Sequence, residues 1–178
     1  GSVCSTREVT GCGVGQATAI KEVAGFLSGK VGIIADGGIR KSGDIIKALA
    51  LGADAVMIGG LIAGCDETPG ETINRYVSSA NVSSGVLTYC QSYKQYRGSA
   101  SLSAQEAWRG EPHVVEGERI EIPCRGPVAS IIDNLIKGLK SGMSYIGAKN
   151  LEELRENAVF MIQTHAGVIE GSVHGKAK

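Results

Sequence analysis

The chain has 178 residues, 43% hydrophobic, 20% charged and 4% aromatic, which is the size and apolar content of one folded domain and excludes a disordered or fibrous chain. Its 18 basic residues balance 18 acidic ones, so it lacks the basic surplus of a nucleic-acid or membrane-surface binder. No apolar run approaches the roughly 20 residues that span a bilayer, and the N-terminus has no signal-peptide pattern; a cytoplasmic protein with no nucleic-acid and no membrane partner is expected.

Residues 1–15, rich in Gly, Ser, Thr and Cys, read as a loop. Residues 16–28 put Ala17, Ile20, Val23, Ala24 and Leu27 at helical spacing. The run VGIIADGG then fits a strand buried on both faces, as in a parallel sheet. SGDIIKALALGA is a second helix, with Ser42 as N-cap and Gly52 as C-cap. DAVMIGG repeats the buried strand, and LIAGCDETPGE opens a helical or loop segment. This β–α–β alternation predicts parallel strands joined by right-handed crossovers. Residues 72–125 turn polar and lose helical periodicity; they read as a long excursion with short strands at VLTYC and ERIEIP, the length of a lid or binding segment. From Pro127 a helical stripe returns at Val128, Ile131, Ile132, Leu135, Ile136 and Leu139. NLEELRENA is a further helix, with Asn150 as N-cap and Glu153 three residues on, the capping-box spacing. The tail EGSVHGKAK is small and polar. The expected organisation is one domain over 1–178: βα units with the cysteine loop in 1–71, a lid or flap in 72–126, and C-terminal helices and tail in 127–178.

The chemistry-bearing residues fall at the strand ends. Asp36-Gly37-Gly38 and Gly59-Gly60 lie one βα unit apart, each closing a strand. Glycine leaves its N–H groups uncovered, so two such turns beside helix N-termini form a cradle for a phosphate dianion; one pair alone would be a tight turn. Flavin-dependent hydroxy-acid oxidases have similar strands and would place FMN there, so the cradle does not name its ligand. Asp36 is suited to ribose hydroxyls, or is a turn residue. Five cysteines (Cys4, Cys12, Cys65, Cys90, Cys124) without a C-x-x-C pair read as reduced thiols. Cys4 sits among small hydroxylated residues with Arg7 nearby, surroundings that stabilise a thiolate, and Thr6 is within reach of it; the other four read as packing residues.

The stretch GSVCSTR resembles the cysteine loop of IMP dehydrogenases and GMP reductases, and the similarity continues in order through ADGGI, VMIGG, YKQYRG, VEGERIEIP, GAKNLEELR and IEGSVHG. The flavin oxidases lack this loop. The resemblance implies an α/β fold, the C-terminal portion of a TIM (β/α)8 barrel with a long lid or flap insertion after the last strand. It implies that Cys4 attacks C2 of a purine mononucleotide, GMP or IMP, with Thr6 and Glu116 assisting. Ser2, Gly37, Gly38, Gly59, Gly60 and Tyr96 would hold the phosphate and Asp36 the ribose. Gly98, Ser99 and Ala100 would face the base, although the family usually has Met-Gly at the last two. The backbone of Cys4 with Glu170, Gly171 and Ser172 would form a potassium site shared between subunits of a homo-tetramer, although the family usually has glycine at Ser172.

The two activities diverge after the covalent step. The dehydrogenase passes hydride to NAD and hydrolyses the intermediate with an Arg-Tyr pair on a mobile flap; the reductase releases ammonia and takes hydride from NADPH. Here Arg109 is followed by Gly110, and the segment of that pair is missing. The expected activity is therefore NADPH-dependent reductive deamination of GMP to IMP. IMP dehydrogenase with NAD is the alternative, a non-catalytic nucleotide-binding module or a flavin oxidoreductase a further one. Because only two barrel strands are read, the remaining strands are expected from preceding sequence or another chain, and the 178 residues alone are expected to be inactive.

Overall fold

The computed structural model describes residues 2–79, 87–173 and 175; Val86 of the expected VLTYC strand and His174 of the tail lie outside the described residues. Helix α1 (Thr6–Thr10) is followed by α2 (Gln16–Leu27), β1 (Ile34–Asp36), α3 (Ser42–Ala50) and β2 (Ala55–Met57). The segment expected to be an irregular loop thus contains α1, which closes on Gly11 in the left-handed conformation that glycine adopts without Cβ strain. Strands β1 and β2 pair in parallel, with Ile34 opposite Ala55 and Asp36 opposite Met57, and α3 makes the crossover.

Helix α3 is the centre of the packing. One side joins Ala48 to Ile20 of α2, Ala35 of β1 and Ala53; the other joins Ile45 and Leu49 to Ala148 and Leu154. The second group belongs to α5 (Val128–Ile146) and α6 (Leu151–Asn157) and the turn between them. α5 lies against α3 at Gly138 and Gly142, where a side chain would run into Ser42 and Ile46. At Gly52 a Cβ would meet that of Ala24 at 2.5 Å, and φ is +115°, so α2 can approach only a glycine there. Gly52 is not the C-cap expected: Leu51 caps α3, and Gly52 reverses the chain just after it. Ser42 likewise is the first helical residue rather than the N-cap, which is Lys41 without a side-chain bond. Asn150 does cap α6 as read: its side chain accepts the Glu153 N–H at 2.8 Å.

The two strands are not buried on both faces. Ala35 is 2% exposed, but Ile34 is 61% and Met57 52% exposed, because among the described residues only the helix-side face of this two-stranded sheet is covered. No closed barrel forms from them.

The excursion is more ordered than its composition implies. β3 (Thr72–Ser79), β4 (Leu87–Arg97) and β5 (Arg119–Pro123) form an antiparallel sheet in the order β3-β4-β5, and α4 (Leu102–Arg109) lies between β4 and β5. Polar cross-strand pairs hold it, including Ser92 with Asn74 at 2.8 Å and Arg75 with Glu121 at 2.6 Å; the strands expected at VLTYC and ERIEIP correspond to the start of β4 and to β5, while β3 carries no apolar alternation to signal it. α4 (LSAQEAWR) is polar overall and so presents no apolar helical stripe in the sequence. A last helix, α7 (His165–Glu170), capped by Thr164, lies in the segment before the tail. No helix among the described residues is long and apolar enough to cross a membrane.

Candidate functional site

The parallel register that sets Asp36 against Met57 also brings both glycine turns to the same end of the sheet. Gly37 and Gly38 have φ of +94° and +77°, a region L side chains rarely adopt. Gln16, at the start of α2, covers this turn: its Nε2 donates to the Asp36 carbonyl at 2.9 Å and its side chain lies 3.8 Å from a Cβ built on Gly38. The Asp36 side chain is exposed, as access to a ribose requires.

Around the second turn three distant parts of the chain meet. The Ser2 hydroxyl donates to the Tyr96 phenol at 3.2 Å. A Cβ on Gly59 would lie 3.1 Å from that phenol oxygen, and one on Gly60 would lie 3.0 Å from Ser2 Oγ. Ser2, Gly59, Gly60 and Tyr96 therefore surround one small space that bare glycine backbone keeps open.

Cys4 sits opposite Gly117 in an isolated antiparallel bridge. Val3 O accepts from Glu118 N at 2.7 Å, and Ser5 N donates to Glu116 O at 3.1 Å. In such a pair the residue between the bonds points its own backbone groups away from the partner, so the Cys4 carbonyl faces out of the ladder. The thiol is exposed, and its Sγ donates to Thr6 Oγ1 at 3.2 Å. Its pKa is lowered from the ordinary thiol value, first by the Thr6 hydroxyl, then by the Thr6 backbone N–H; partial desolvation and the Glu116 charge oppose this. The last of these places the Glu116 carboxylate in the electrostatic reach of the sulfur.

Gly98 and Gly117 let the chains cross here: a Cβ on Gly98 would lie 3.2 Å from Val3 O, and one on Gly117 3.0 Å from Ser101 N. Next to the crossing, Ser99, Ala100 and Glu116 line a recess of about 390 Å³ together with Trp108 and His113. Gln105, only 3% exposed, holds its wall. Its Nε2 donates to Ala100 O and Val114 O, each at 2.8 Å, and its Oε1 accepts from His113 N at 2.9 Å. Gln105 and Gln16 hold these backbones through amides whose only sequence signal is their place beside motif glycines and a serine run.

The structure thus gathers Ser2, Gly59, Gly60 and Tyr96 in one group, and Cys4, Thr6, Gly98, Ser99, Ala100 and Glu116 in another, joined through residues 2–4 and the end of β4. Among the described residues no hydrogen bond runs from Gly171 or Ser172 to the cysteine loop: their amides, and the Ser172 hydroxyl, bond back onto α7. Of the residues named for potassium, Cys4 turns its carbonyl out of the ladder, while Gly171 and Ser172 bond back onto their own helix.

A family model for the IMP dehydrogenase / GMP reductase domain matches residues 1–174. An inosine-5′-monophosphate dehydrogenase of Aquifex aeolicus is 45% identical over 184 residues, covering 98% of this chain and 35% of that protein. The corresponding enzyme of Methanocaldococcus jannaschii is 44% identical, covering 98% and 36%. The fold is similar to the crystal structure of a cysteine-to-alanine variant of GMP reductase from Trypanosoma brucei in complex with guanosine 5′-monophosphate, with a TM-score of 0.83 and 39% identity over 99% of this chain and 35% of that one. The chain spans about a third of the length of these relatives.

Proposed function

The chain belongs to the IMP dehydrogenase / GMP reductase family, and from that premise we propose that it carries the nucleophile and the nucleotide cradle of a GMP reductase, an oxidoreductase that converts GMP to IMP. The βα units belong to a (β/α)8 barrel in this reading, with the β3–β5 sheet as the flap over its mouth. The 5′-phosphate lies among Ser2, Gly37, Gly38, Gly59, Gly60 and Tyr96. Asp36 accepts from the ribose hydroxyls, and the base lies against Gly98, Ser99, Ala100 and Glu116.

The reaction starts when the Cys4 thiolate forms a bond to C2 of the guanine. The exocyclic amine at C2 takes up a proton, its C–N bond breaks, and ammonia leaves. Thr6, bonded to the sulfur, and Glu116, on the adjoining stretch, relay that proton. The recess beside Glu116 carries on its wall the exposed indole of Trp108, over whose ring the Arg109 guanidinium lies at 4.2 Å, and this aromatic and polar lining is where a nicotinamide ring would be received. NADPH, when bound, would supply a hydride to C2; with C2 reduced, the S–C2 bond breaks and the thiolate returns to Cys4. A potassium ion on the Cys4 carbonyl, completed by Glu170, Gly171 and Ser172 of a neighbouring subunit in a tetramer, would steady the loop's backbone.

The observation that favours reduction over hydrolysis is the way Glu116 is held. Only Gly110 to Val115 separate it from the end of α4 at Arg109, and its backbone is bonded on both sides, Glu116 N to Ala100 O at 3.1 Å and Ser5 N to Glu116 O. That short path gives the ammonia-releasing acid a fixed place and leaves no segment for the Arg-Tyr pair of the hydrolytic enzymes. The second reading, IMP dehydrogenase, is favoured by the activity named for the relatives at 44–45% identity. The two separate in one assay on the full-length protein: loss of nicotinamide absorbance with GMP plus NADPH is expected, whereas a gain only with IMP plus NAD would transfer the assignment to the dehydrogenase.

A further inference from the structure

Lys94 is the one lysine of the YKQYRG motif, and among the described residues it is buried to 5% exposure with no carboxylate partner. Its ammonium ends in a nest of backbone oxygens instead: Nζ donates to Thr68 O at 2.6 Å, Cys65 O at 2.8 Å and Asp66 O at 3.0 Å, with Thr68 Oγ1 at 3.4 Å. Three carbonyls match the three N–H groups of an ammonium. A buried charge is tolerated only where such bonds replace its water, so this arrangement is specified on both sides.

The carbonyls belong to the turn that begins at the phosphate glycines. Ile62 N and Ala63 N both donate to Gly59 O at 3.0 Å, Cys65 N to Ile62 O at 2.9 Å, and Thr68 N to Cys65 O at 3.1 Å. The Thr68 hydroxyl closes it further onto Cys65 O at 2.6 Å. From Gly59 to Thr68 the chain is thus one hydrogen-bonded body, gripped at its far end by Lys94. On β4 Lys94 and Tyr96 are two residues apart and share a face, and Tyr96 is the residue whose phenol closes over Gly59. Lys94 and Tyr96 therefore connect the same strand to the two ends of the same turn.

We infer that Lys94 is a positioning residue for phosphate recognition: its ammonium fixes the Gly59–Thr68 turn against β4, so that the Tyr96 phenol and the Gly59-Gly60 backbone face one anion at a fixed separation. This rests on the nucleotide reading above, but not on whether the enzyme reduces or hydrolyses.

The test measures affinity by calorimetry in the full chain for GMP and for guanosine, with IMP and inosine in parallel. In Lys94→Met the ratio of nucleotide to nucleoside affinity is expected to fall at least about tenfold, while nucleoside affinity changes less than about threefold. Combined with Tyr96→Phe, the loss should be clearly less than additive, since one residue acts through the other. An unchanged ratio, an equal loss for nucleoside and nucleotide, or full additivity would overturn the inference. If Lys94→Met does not fold, Thr68→Val loosens the same turn and should lower the ratio by about threefold; no change there overturns it equally. A wild-type protein with no preference for nucleotide over nucleoside would instead remove the phosphate reading itself.

Discussion

The Sγ of Cys4 and the Oγ1 of Thr6 stand 3.2 Å apart at the start of α1, and this contact is the leading cause of the lowered thiol pKa. Once the thiol ionises, the hydroxyl turns to donate to the sulfur, which favours the charged form. Removing it in Thr6→Val should move the thiol back up toward its ordinary value, so the pH midpoint of Cys4 alkylation by iodoacetamide shifts upward and the rate at pH 7 falls. Glu116 acts in the other direction, because its charge raises the pKa. Glu116→Gln should therefore shift the same midpoint downward. Alkylation profiles that coincide in all three proteins would show that neither group governs the thiolate.

Cys4 and Cys12 are both exposed thiols, yet only Cys4 lies beside the cradle formed by residues 2 and 96. An electrophilic purine nucleotide should label Cys4 and spare Cys12, and excess GMP or IMP should block the labelling. In the full-length protein Cys4→Ser should lower turnover by about a thousandfold or more, the scale on which loss of a nucleophile acts, while leaving nucleotide binding in place. Nucleotide binding without selective labelling would support the non-catalytic reading instead.

The βαβ unit was legible because its residues follow simple rules: apolar runs at Ile33–Ala35 and Ala55–Met57, a helical stripe between them, and glycine where the backbone turns left-handed. The capping of α6 by Asn150 was legible for the same reason, since both bonding groups lie within four residues. In the sheet β3–β5 the strands at VLTYC and ERIEIP were legible, but β3, the full length of β4 and the pairing were not, because the stabilising pairs are polar and up to 46 residues apart, as for Arg75 and Glu121. Cys4, Thr6, Tyr96 and Glu116 could be named from motif resemblance, but the bridge that sets Cys4 against Gly117 is a tertiary contact with no local trace. Gln105 and Lys94 are harder still. Their partners are carbonyls, which every residue has, so nothing in the sequence distinguishes them from solvated side chains.

Gly59 and Gly60 differ from Gly38 in a way that separates binding from folding. The first two have no positive φ, and a methyl on either would project toward the Tyr96 phenol or the Ser2 hydroxyl, into the space proposed for the phosphate. Gly60→Ala should weaken GMP binding by about tenfold or more, equivalent to about 1.4 kcal/mol, with little change in melting temperature. Gly38 has φ +77°, so Gly38→Ala adds a backbone strain of about 1–2 kcal/mol and should lower the melting temperature as well. Equal thermal effects from the two substitutions would mean that Gly60 serves only the turn.

Asp54 links the sheet to α6 on both of its oxygens: Oδ2 accepts from Ile33 N at 2.8 Å, and Oδ1 pairs with Arg155 Nη2 at 2.7 Å. Those bonds, the Ile33 N–H foremost and then the Arg155 guanidinium, hold its pKa below the usual aspartate value. A carboxyl whose folded pKa is depressed stabilises the fold above its unfolded pKa and loses that contribution as pH falls through the folded one. The carboxylate is well exposed and screened, so the effect should be modest at neutral pH. Asp54→Asn should melt below the wild type at neutral pH. Below the normal titration range of aspartate the two melting curves should converge, because the wild-type carboxyl is then protonated and no longer bonds as an anion. A gap that stays constant from neutral to acidic pH would show that Asp54 acts by shape alone.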